Sequence, residues 1–98
     1  MNIQLMLKQA QKLQQDMTKE KAEIDKTIFK ASSAFVDVEL LGTKKIVKIK
    51  IKKDKLDQDD IEMVEDMLLT SINSAIQSID SVTEQKLGKF TNGMPGLL

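Results

Sequence analysis

Apolar and charged side chains alternate between residues 36 and 52, on both sides of a glycine. The apolar positions are Val36, Val38 and Leu40 before Gly42, and Val47, Ile49 and Ile51 after it. A period of two is typical of a strand with one buried face and one solvated face. The stretch therefore predicts a β-hairpin whose apolar face packs on the core of the protein.

The length of the hairpin loop decides which residues face each other across the two strands. With a four-residue loop over residues 42–45, the predicted pairs on the apolar face are Leu40–Val47, Val38–Ile49 and Val36–Ile51. On the polar face the same loop pairs opposite charges, Glu39 with Lys48 and Asp37 with Lys50. A two-residue turn at Gly42-Thr43 keeps the same faces, so both loop lengths remain open.

A long first helix is predicted over residues 3–25, because apolar residues recur there at intervals of three and four. This apolar stripe consists of Ile3, Met6, Ala10, Leu13, Met17 and Ile24. Asn2 is a suitable N-cap. Residues 27–33 then predict a short strand, which completes a three-stranded antiparallel sheet with the hairpin.

A second long helix is predicted over residues 58–87, with Asp57 as its N-cap and Gly88 as its end. Its apolar stripe consists of Ile61, Val64, Leu68, Ile72, Ala75, Ile79 and Val82. The acids near Asp57 do not match a calcium-binding loop, because the sixth position counted from Asp57 is Glu62 rather than glycine.

Together these elements predict an α+β fold of one domain: a long N-terminal helix, a three-stranded antiparallel β-meander and a long C-terminal helix (α-β-β-β-α). The domain is expected to cover residues 1–88. Residues 89–98 are expected to form a flexible tail, because they contain Asn-Gly and Pro-Gly.

The apolar stripes of both helices run beyond the predicted sheet. The helices would be roughly 35 Å and 45 Å long, whereas strands of about six residues reach roughly 20 Å. Apolar stripes that extend past their own sheet are typical of an interface, and a twofold homodimer is the default assembly. The predicted dimer interface lies on the second helix and consists of Leu69, Ile72, Ile76 and Ile79.

The composition excludes several kinds of chemistry. The chain has no Cys and no His, which argues against disulfides, thiolate metal sites and the commonest general acid–base catalysis. No apolar run is long enough to span a bilayer, and the N-terminus lacks a signal-peptide pattern, so a cytoplasmic protein is expected. The sequence predicts no enzyme, cofactor, metal site, membrane partner or small-molecule substrate.

A net charge of zero conceals a segregation of charge along the chain. Residues 57–85 carry eight acids and no lysine, whereas Lys8, Lys12 and Lys19 fall within about 40° on the first helix, opposite its stripe. These lysines, with Lys86 and Lys89 near the end of the second helix, are candidates for contacting phosphates. The alternative is a solvated face with Lys12–Asp16 and Lys19–Glu23 pairs.

Residues 5–14, Leu-Met-Leu-Lys-Gln-Ala-Gln-Lys-Leu-Gln, resemble the opening helix of the YbaB/EbfC family of bacterial nucleoid-associated proteins. Residues 60–68, followed by Asn73 and Ala75, are similar to the second long helix of that family. The tail sequence Gly93-Met94-Pro95-Gly96 resembles its Gly/Pro-rich end. The resemblance covers nearly the whole chain, including the order of helix, sheet and helix.

The resemblance implies a homodimer with projecting helices that binds double-stranded DNA in the nucleoid and has no enzymatic activity. This chain departs from the family pattern in having no arginine, the residue that makes bidentate guanine contacts, so little base specificity is expected. A different hypothesis is a protein-interaction scaffold that binds a partner through its apolar helix stripes. Salt separates the two, because only DNA binding through lysines weakens steeply as salt rises.

Overall fold

The computed structural model describes residues 2–91 and confirms the predicted order of helices and strands. Its elements are α1 (Ile3–Lys26), β1 (Ile28–Ser32), β2 (Val36–Leu41), β3 (Ile46–Ile51) and α2 (Gln58–Thr91). The three strands form an antiparallel sheet in the order β1-β2-β3. Met1 and residues 92–98, and with them most of the predicted flexible tail, lie outside the described residues.

Both helices begin at the predicted caps. The backbone N–H of Leu5 donates to Asn2 Oδ1 at 3.1 Å at the start of α1. At the start of α2, Asp57 Oδ1 accepts from the N–H of Asp60 at 3.0 Å, and Asp60 Oδ2 accepts from the N–H of Asp57 at 3.1 Å. Such reciprocal bonds satisfy two backbone donors that a helix N-terminus leaves without partners.

Lys53 reinforces the start of α2. Its Nζ donates to Asp60 Oδ2 at 2.6 Å and lies 5.0 Å from the centroid of the Phe35 ring. The bond from Lys53, followed by the N–H of Asp57, lowers the pKa of Asp60 below its usual value. Asp60 is therefore ionised at neutral pH and stabilises the positive end of the α2 dipole.

The predicted end of the second helix at Gly88 was wrong, because α2 continues to Thr91. Leu87 and Phe90 lie on either side of this glycine and are buried against Ile24 of α1. Glycine inside a helix costs about 1 kcal/mol relative to alanine. Burial of two large apolar side chains outweighs this cost, so packing against α1 extends α2 past the expected boundary.

The strand bounds leave the predicted four residues, 42–45, between β2 and β3, but the hydrogen-bonded pairing closes on a shorter loop of three residues, 42–44. Leu41 and Lys45 close it, since the N–H of Leu41 donates to the Lys45 carbonyl at 2.9 Å. Lys44 occupies the left-handed region with φ 74°, as in a type I turn followed by a bulge. Gly42 is required for another reason: a Cβ there would lie 1.8 Å from the Ile24 carbonyl oxygen.

The shorter loop changes one of the predicted strand pairs. Leu40 faces Ile46 instead of Val47, and Val47 is the extra residue of a bulge. Beyond the bulge the register is as predicted, with Val38 opposite Ile49 and Val36 opposite Ile51. The bulge therefore absorbs the difference in loop length, and the predicted faces of the hairpin are preserved.

The core of the protomer lies between β2 and α2. It contains the three apolar residues of β2 that face the helix, packed against its stripe: Val36, Val38, Leu40, Val64, Ala75 and Ile79. A second cluster, in which Ile24 packs with Leu87 and Phe90, joins α1 to the C-terminal half of α2. The first cluster holds the sheet to α2, and the second holds α1 beside it.

The apolar face of β3 is not buried in the protomer, contrary to the prediction. All six residues of β3 are exposed, and Ile49 retains 48% of its surface although its neighbour Val38 has none exposed. The physical reason is that α2 packs over β1 and β2 and leaves β3 uncovered. The sheet thus presents an apolar edge region to its surroundings.

On the opposite face of the sheet, the predicted charge pairs are partly rearranged. Glu39 pairs with Lys48 at 3.7 Å as expected, but Asp37 pairs with Lys52 at 3.0 Å rather than with Lys50. Hydrogen bonds from Ser32 and then Lys52 lower the pKa of Asp37. Lys50 lies opposite Asp37 in the register and contributes a weaker charge effect.

The two faces of β2 should respond very differently to a new lysine. Val38→Lys places a charge in a fully buried site and should cost at least about 3 kcal/mol of the free energy of unfolding. Asp37→Lys removes a half-exposed ion pair and should cost about 1 kcal/mol or less. Urea denaturation monitored by circular dichroism measures both. Equal destabilisation would contradict the assignment of the faces.

Candidate functional site

Three of the predicted DNA-binding lysines lie on the exposed side of α1. The apolar side of α1 packs against α2 through Leu13, Met17 and Ile24. At about 100° per residue, the lysines project from the other side, and all three are exposed: Lys8, Lys12 and Lys19. The fold therefore presents them outward, as a phosphate-contacting surface requires.

None of these three lysines forms an ion pair with another described residue. The Lys12–Asp16 and Lys19–Glu23 pairs of the alternative interpretation do not form. Within the described part of α1, the ion pair joins Lys21 to Asp25 at 2.6 Å. Lys8 and Lys12 are thus available to an anionic partner, whereas Lys19 is unpaired but lies near the acids of a recess between the helices.

The C-terminal lysines occupy a different environment. Lys89 meets Lys19 in a recess of about 370 Å³ between the helices, where Asp16, Glu20 and Glu23 supply three carboxylates. Its Nζ also lies 5.0 Å from the centroid of the Phe90 ring. Lys86 is exposed on α2 outside this recess. The structure brings Lys19 and Lys89 together, but it surrounds them with negative charge.

The N-terminal half of α1 has the least obstructed positive surface. Residues 3–15 contain no acid, and the first carboxylate of the helix belongs to Asp16. All residues from 2 to 9 are exposed, because α2 packs only as far along α1 as Leu13. The helix dipole adds positive charge at this end. The missing acids were visible in the sequence, but only the fold shows that this segment stands clear of α2.

Half of the eight lysines between residues 28 and 55 form ion pairs with acids. Ion pairs at 2.6–3.7 Å engage four of them: Lys44 with Asp80, Lys48 with Glu39, Lys52 with Asp37 and Lys53 with Asp60. Lysines that already pair with carboxylates contribute less to binding a polyanion, because the partner must compete with the acid. Lys30, Lys45, Lys50 and Lys55 form no ion pair with another described residue, so the sheet region also has positive charge available, in addition to that on α1.

A separate apolar surface lies beside β3. Ile46, Ile49 and Ile51 share the face that α2 leaves uncovered. The Lys44–Asp80 ion pair at 2.9 Å shows that the side of α2 that carries Asp80, here called its Asp80 flank, lies next to the β2–β3 loop. By helical spacing, the same flank carries Leu69 and Ile76. Helix and strand together thus border one apolar surface.

The four predicted interface residues occupy different environments. Leu69 retains 64% of its surface, whereas Ile72 and Ile76 are half-buried at the border of the core. Ile79 is almost completely buried in its own protomer, so it stabilises the fold and offers no surface to a partner. Sequence patterns missed the exposure of β3, because they predicted that its apolar face would be covered.

Metal and membrane sites receive no support from the described residues. Within residues 2–91, no group of three His, Cys, Asp or Glu side chains is arranged to hold a metal ion. None of the helices in this range is long and apolar enough to cross a membrane.

Comparison with known proteins matches nearly the whole chain. The sequence model of the YbaB/EbfC DNA-binding family matches residues 1–94. A nucleoid-associated protein of Lactococcus lactis is 46% identical over 97 residues, which cover 97% of this chain and 98% of that protein. A nucleoid-associated protein of Ligilactobacillus salivarius is 39% identical, with 99% and 95% of the two chains covered.

A solved structure shares the fold. The crystal structure of an uncharacterized protein from Helicobacter pylori aligns with a TM-score of 0.64 and covers 98% of this chain and 99% of its own. Its sequence is only 16% identical, so the likeness concerns the fold alone.

Because the three α1 lysines have no partners, replacing them should leave the fold intact. The triple change of Lys8, Lys12 and Lys19→Gln should alter the free energy of unfolding by about 0.5 kcal/mol or less, since glutamine retains helix propensity. Lys53→Gln is the matched control and should cost about 1 kcal/mol or more, because Lys53 contacts Asp60 and Phe35. Thermal and urea denaturation measure both. A larger loss in the triple variant would reveal a structural role for these lysines.

Proposed function

Since the chain belongs to the YbaB/EbfC DNA-binding family, we propose that it is a homodimeric nucleoid-associated protein that binds double-stranded DNA through the lysines of α1. The observation that carries this proposal is the exposed and unpaired state of Lys8, Lys12 and Lys19. Lys86 and Lys89 belong to the proposed surface as secondary contacts, because acids border the recess of Lys89. The nucleoid is the proposed location.

Lysine contacts to phosphate explain affinity without sequence recognition. A lysine that neutralises a phosphate releases condensed counterions from the duplex, and this gain does not depend on the base. The chain has no arginine for bidentate guanine contacts. Little base specificity is therefore proposed, with phosphate contacts supplying most of the binding free energy.

The distribution of acids suggests the orientation of the protein on DNA. Residues 57–66 of the α2 region contain six acids and no lysine. This acidic segment lies beside the sheet, whereas the N-terminal half of α1 extends away from it. Repulsion between the acids and the phosphates favours contact through α1, with the start of α2 directed away from the duplex.

The apolar surface beside β3 supports the homodimer. The radius of gyration is 19.4 Å, well above the ~13 Å that a compact chain of this length would have. Such an elongated protomer buries little of its own apolar surface. A second copy related by a twofold axis would cover Ile46, Ile49 and Ile51 of both protomers, and the border residues Leu69, Ile72 and Ile76 would contribute to the same interface. The dimer would then carry two α1 helices.

The protein-interaction scaffold remains the second candidate function. The uncovered apolar face of β3 favours it, because that face fits a different protein as well as a second copy. The two candidates differ in the response to salt: apolar docking persists at high salt, whereas lysine–phosphate binding weakens steeply.

The dimer should depend on β3 and not on the opposite face of the sheet. Sedimentation equilibrium of the wild-type protein should give twice the chain mass at micromolar concentration. Ile49→Lys should give the monomer mass, because a charge would be placed in the apolar interface. Ile28→Lys is the matched control, since Ile28 is similarly exposed at 42% but faces the other side of the sheet. A monomeric wild type, or a dimeric Ile49→Lys variant, would contradict this interface.

Salt-titrated fluorescence anisotropy tests the DNA surface. The triple change of Lys8, Lys12 and Lys19→Gln should weaken binding equally on different sequences, and each lost contact should flatten the slope of log K against log salt by about 0.9. Lys48 and Lys50→Gln should have a smaller effect, because Glu39 pairs with Lys48 and Asp37 lies opposite Lys50. If the triple α1 variant bound DNA as tightly as the wild type while the Lys48 and Lys50→Gln variant bound it more weakly, the DNA-binding site would lie on the sheet.

A further inference from the structure

We propose that the N-terminal part of α1 enters the major groove of duplex DNA and favours A·T base pairs through Gln4, Leu7 and Gln11. This inference rests on the proposed DNA binding and adds a groove and a base preference to it. The lysines of α1 provide the affinity, and the two glutamines and Leu7 provide a modest preference.

The first turns of α1 are accessible from almost every side. All residues from 2 to 9 are exposed, whereas α2 packs against α1 from Leu13 onward. An α-helix with its side chains is about 10–12 Å wide, which matches the ~12 Å width of the major groove. Because α2 does not accompany this segment, it can approach the floor of the groove without a steric conflict with residues 2–91 of its own protomer.

The exposed side of α1 has an ordered arrangement of amides and charges. Gln4, Lys8, Gln11 and Gln15 follow one another at intervals of four, three and four, so they form one row along the helix. A second row, at intervals of seven, flanks the first and consists of Lys12, Lys19 and Lys26. At about 100° per residue, no acid of α1 falls in the sector that contains these two rows.

The charge of this sector matches a polyanion. Residues 3–15 contain lysines and no acid, and the positive end of the helix dipole lies at the same end of α1. A neutral or basic protein partner would gain nothing from this arrangement, whereas a duplex surrounds a groove-bound helix with phosphates on both sides. Lys8 lies at the edge of the first row that adjoins the second row, so it and the flanking lysines are suited to phosphates, whereas the amides of Gln4 and Gln11 face the bases.

The amide row also carries an apolar side chain that the fold does not use. Leu7 retains 58% of its surface and lies three residues after Gln4 and four before Gln11, so it adjoins both amides. In the major groove, adenine offers the N7 acceptor and N6 donor that a glutamine amide binds bidentately, and thymine offers a methyl group for apolar contact. Two amides beside one leucine thus complement the exposed edge of A·T pairs.

The size of the preference follows from the exposure of these side chains. Glutamines on an open helix face lose side-chain entropy when they bind, which offsets part of each bidentate contact. We expect roughly fivefold tighter binding to A·T-rich than to G·C-rich duplexes, at the low end of what one side-chain–base pair provides. A preference of this size is compatible with affinity that is dominated by phosphate contacts.

The test compares full-length protein on two fluorescent duplexes of equal length, one A·T-rich and one G·C-rich, over a salt series. Gln4 and Gln11→Ala should abolish the preference, so that the A·T-rich and G·C-rich duplexes bind with about equal affinity. The slope of log K against log salt should not change, because no phosphate contact is lost. Gln9→Ala is the control and should retain the preference, because this exposed glutamine lies about 100° or more around the helix from Gln4, Gln11 and Leu7. Alanine maintains the helix, which circular dichroism verifies.

A modified duplex identifies the groove without altering the protein. Replacing adenine by 7-deazaadenine removes the N7 acceptor from the major groove and leaves the minor-groove edge intact. Wild-type protein should lose most of its preference on this duplex. If the preference for A·T-rich DNA persisted on the 7-deazaadenine duplex and in the Gln4 and Gln11→Ala variant, the protein would be recognising the shape of the minor groove. That result would overturn the inference.

The failure of this inference can be distinguished from failure of the proposed function. Salt-dependent binding of the wild type with no difference between the two duplexes would overturn the groove assignment and leave DNA binding in place. Equal loss of preference in the control glutamine variant would also overturn the assignment to Gln4 and Gln11. No salt-dependent binding to either duplex would overturn the proposed function itself.

Discussion

The packing of β2 against α2 is the interaction on which the rest of the structure depends. Val36, Val38 and Leu40 have no exposed surface, and they are the part of the sheet that α2 covers completely. Burial of three such side chains contributes about 1.5–3 kcal/mol each, before the entropy of folding is considered. Because one narrow helix covers two strands at most, β3 is left with its apolar face open. The same contact thus creates the core and the surface proposed for the dimer.

The C-terminal end of α2 determines which part of α1 is exposed. Leu87 and Phe90 pack against α1, and this contact holds the two helices side by side up to Leu13. On the N-terminal side of Leu13 α1 continues alone, and residues 3–15 contain no acid. Acids accumulate at the opposite end of the molecule, at the start of α2, where Asp57 and Asp60 cap the helix. A chain with no net charge therefore places its acid-free helical segment, residues 3–15, and its most acidic segment, residues 57–66, in different parts of the protomer.

Affinity and specificity are assigned to different side chains of the same helix. In the proposed complex the lysines would provide long-range attraction and phosphate contacts, which are strong but insensitive to sequence. Any sequence preference must come from groups that reach base edges, and the exposed amides of α1 are suited to adenine. An α1 helix in each protomer of a twofold dimer would allow weak contacts to act together, since the second helix binds at a high effective concentration.

Much of the fold could be predicted from the sequence, because its signals are local. The period of two around Gly42, the apolar stripes of both helices and the caps at Asn2 and Asp57 each depend on residues within a few positions of one another. A four-residue loop over residues 42–45, supported by opposite charges across the hairpin, predicted most of the strand register, apart from the bulge at Val47. The outward-facing lysines of α1 followed from helical periodicity in the same way.

Features that depend on distant segments were decided by the tertiary structure. Helix α2 passes Gly88 because Phe90 finds a partner in α1, and no local pattern encodes that contact. Likewise, alternation along β3 shows which side chains share a face but not whether a helix covers that face. Gly42 is needed because the Ile24 carbonyl approaches it, not because of the turn alone. Periodicity determines the direction of a side chain, whereas its burial depends on what the rest of the chain places beside it.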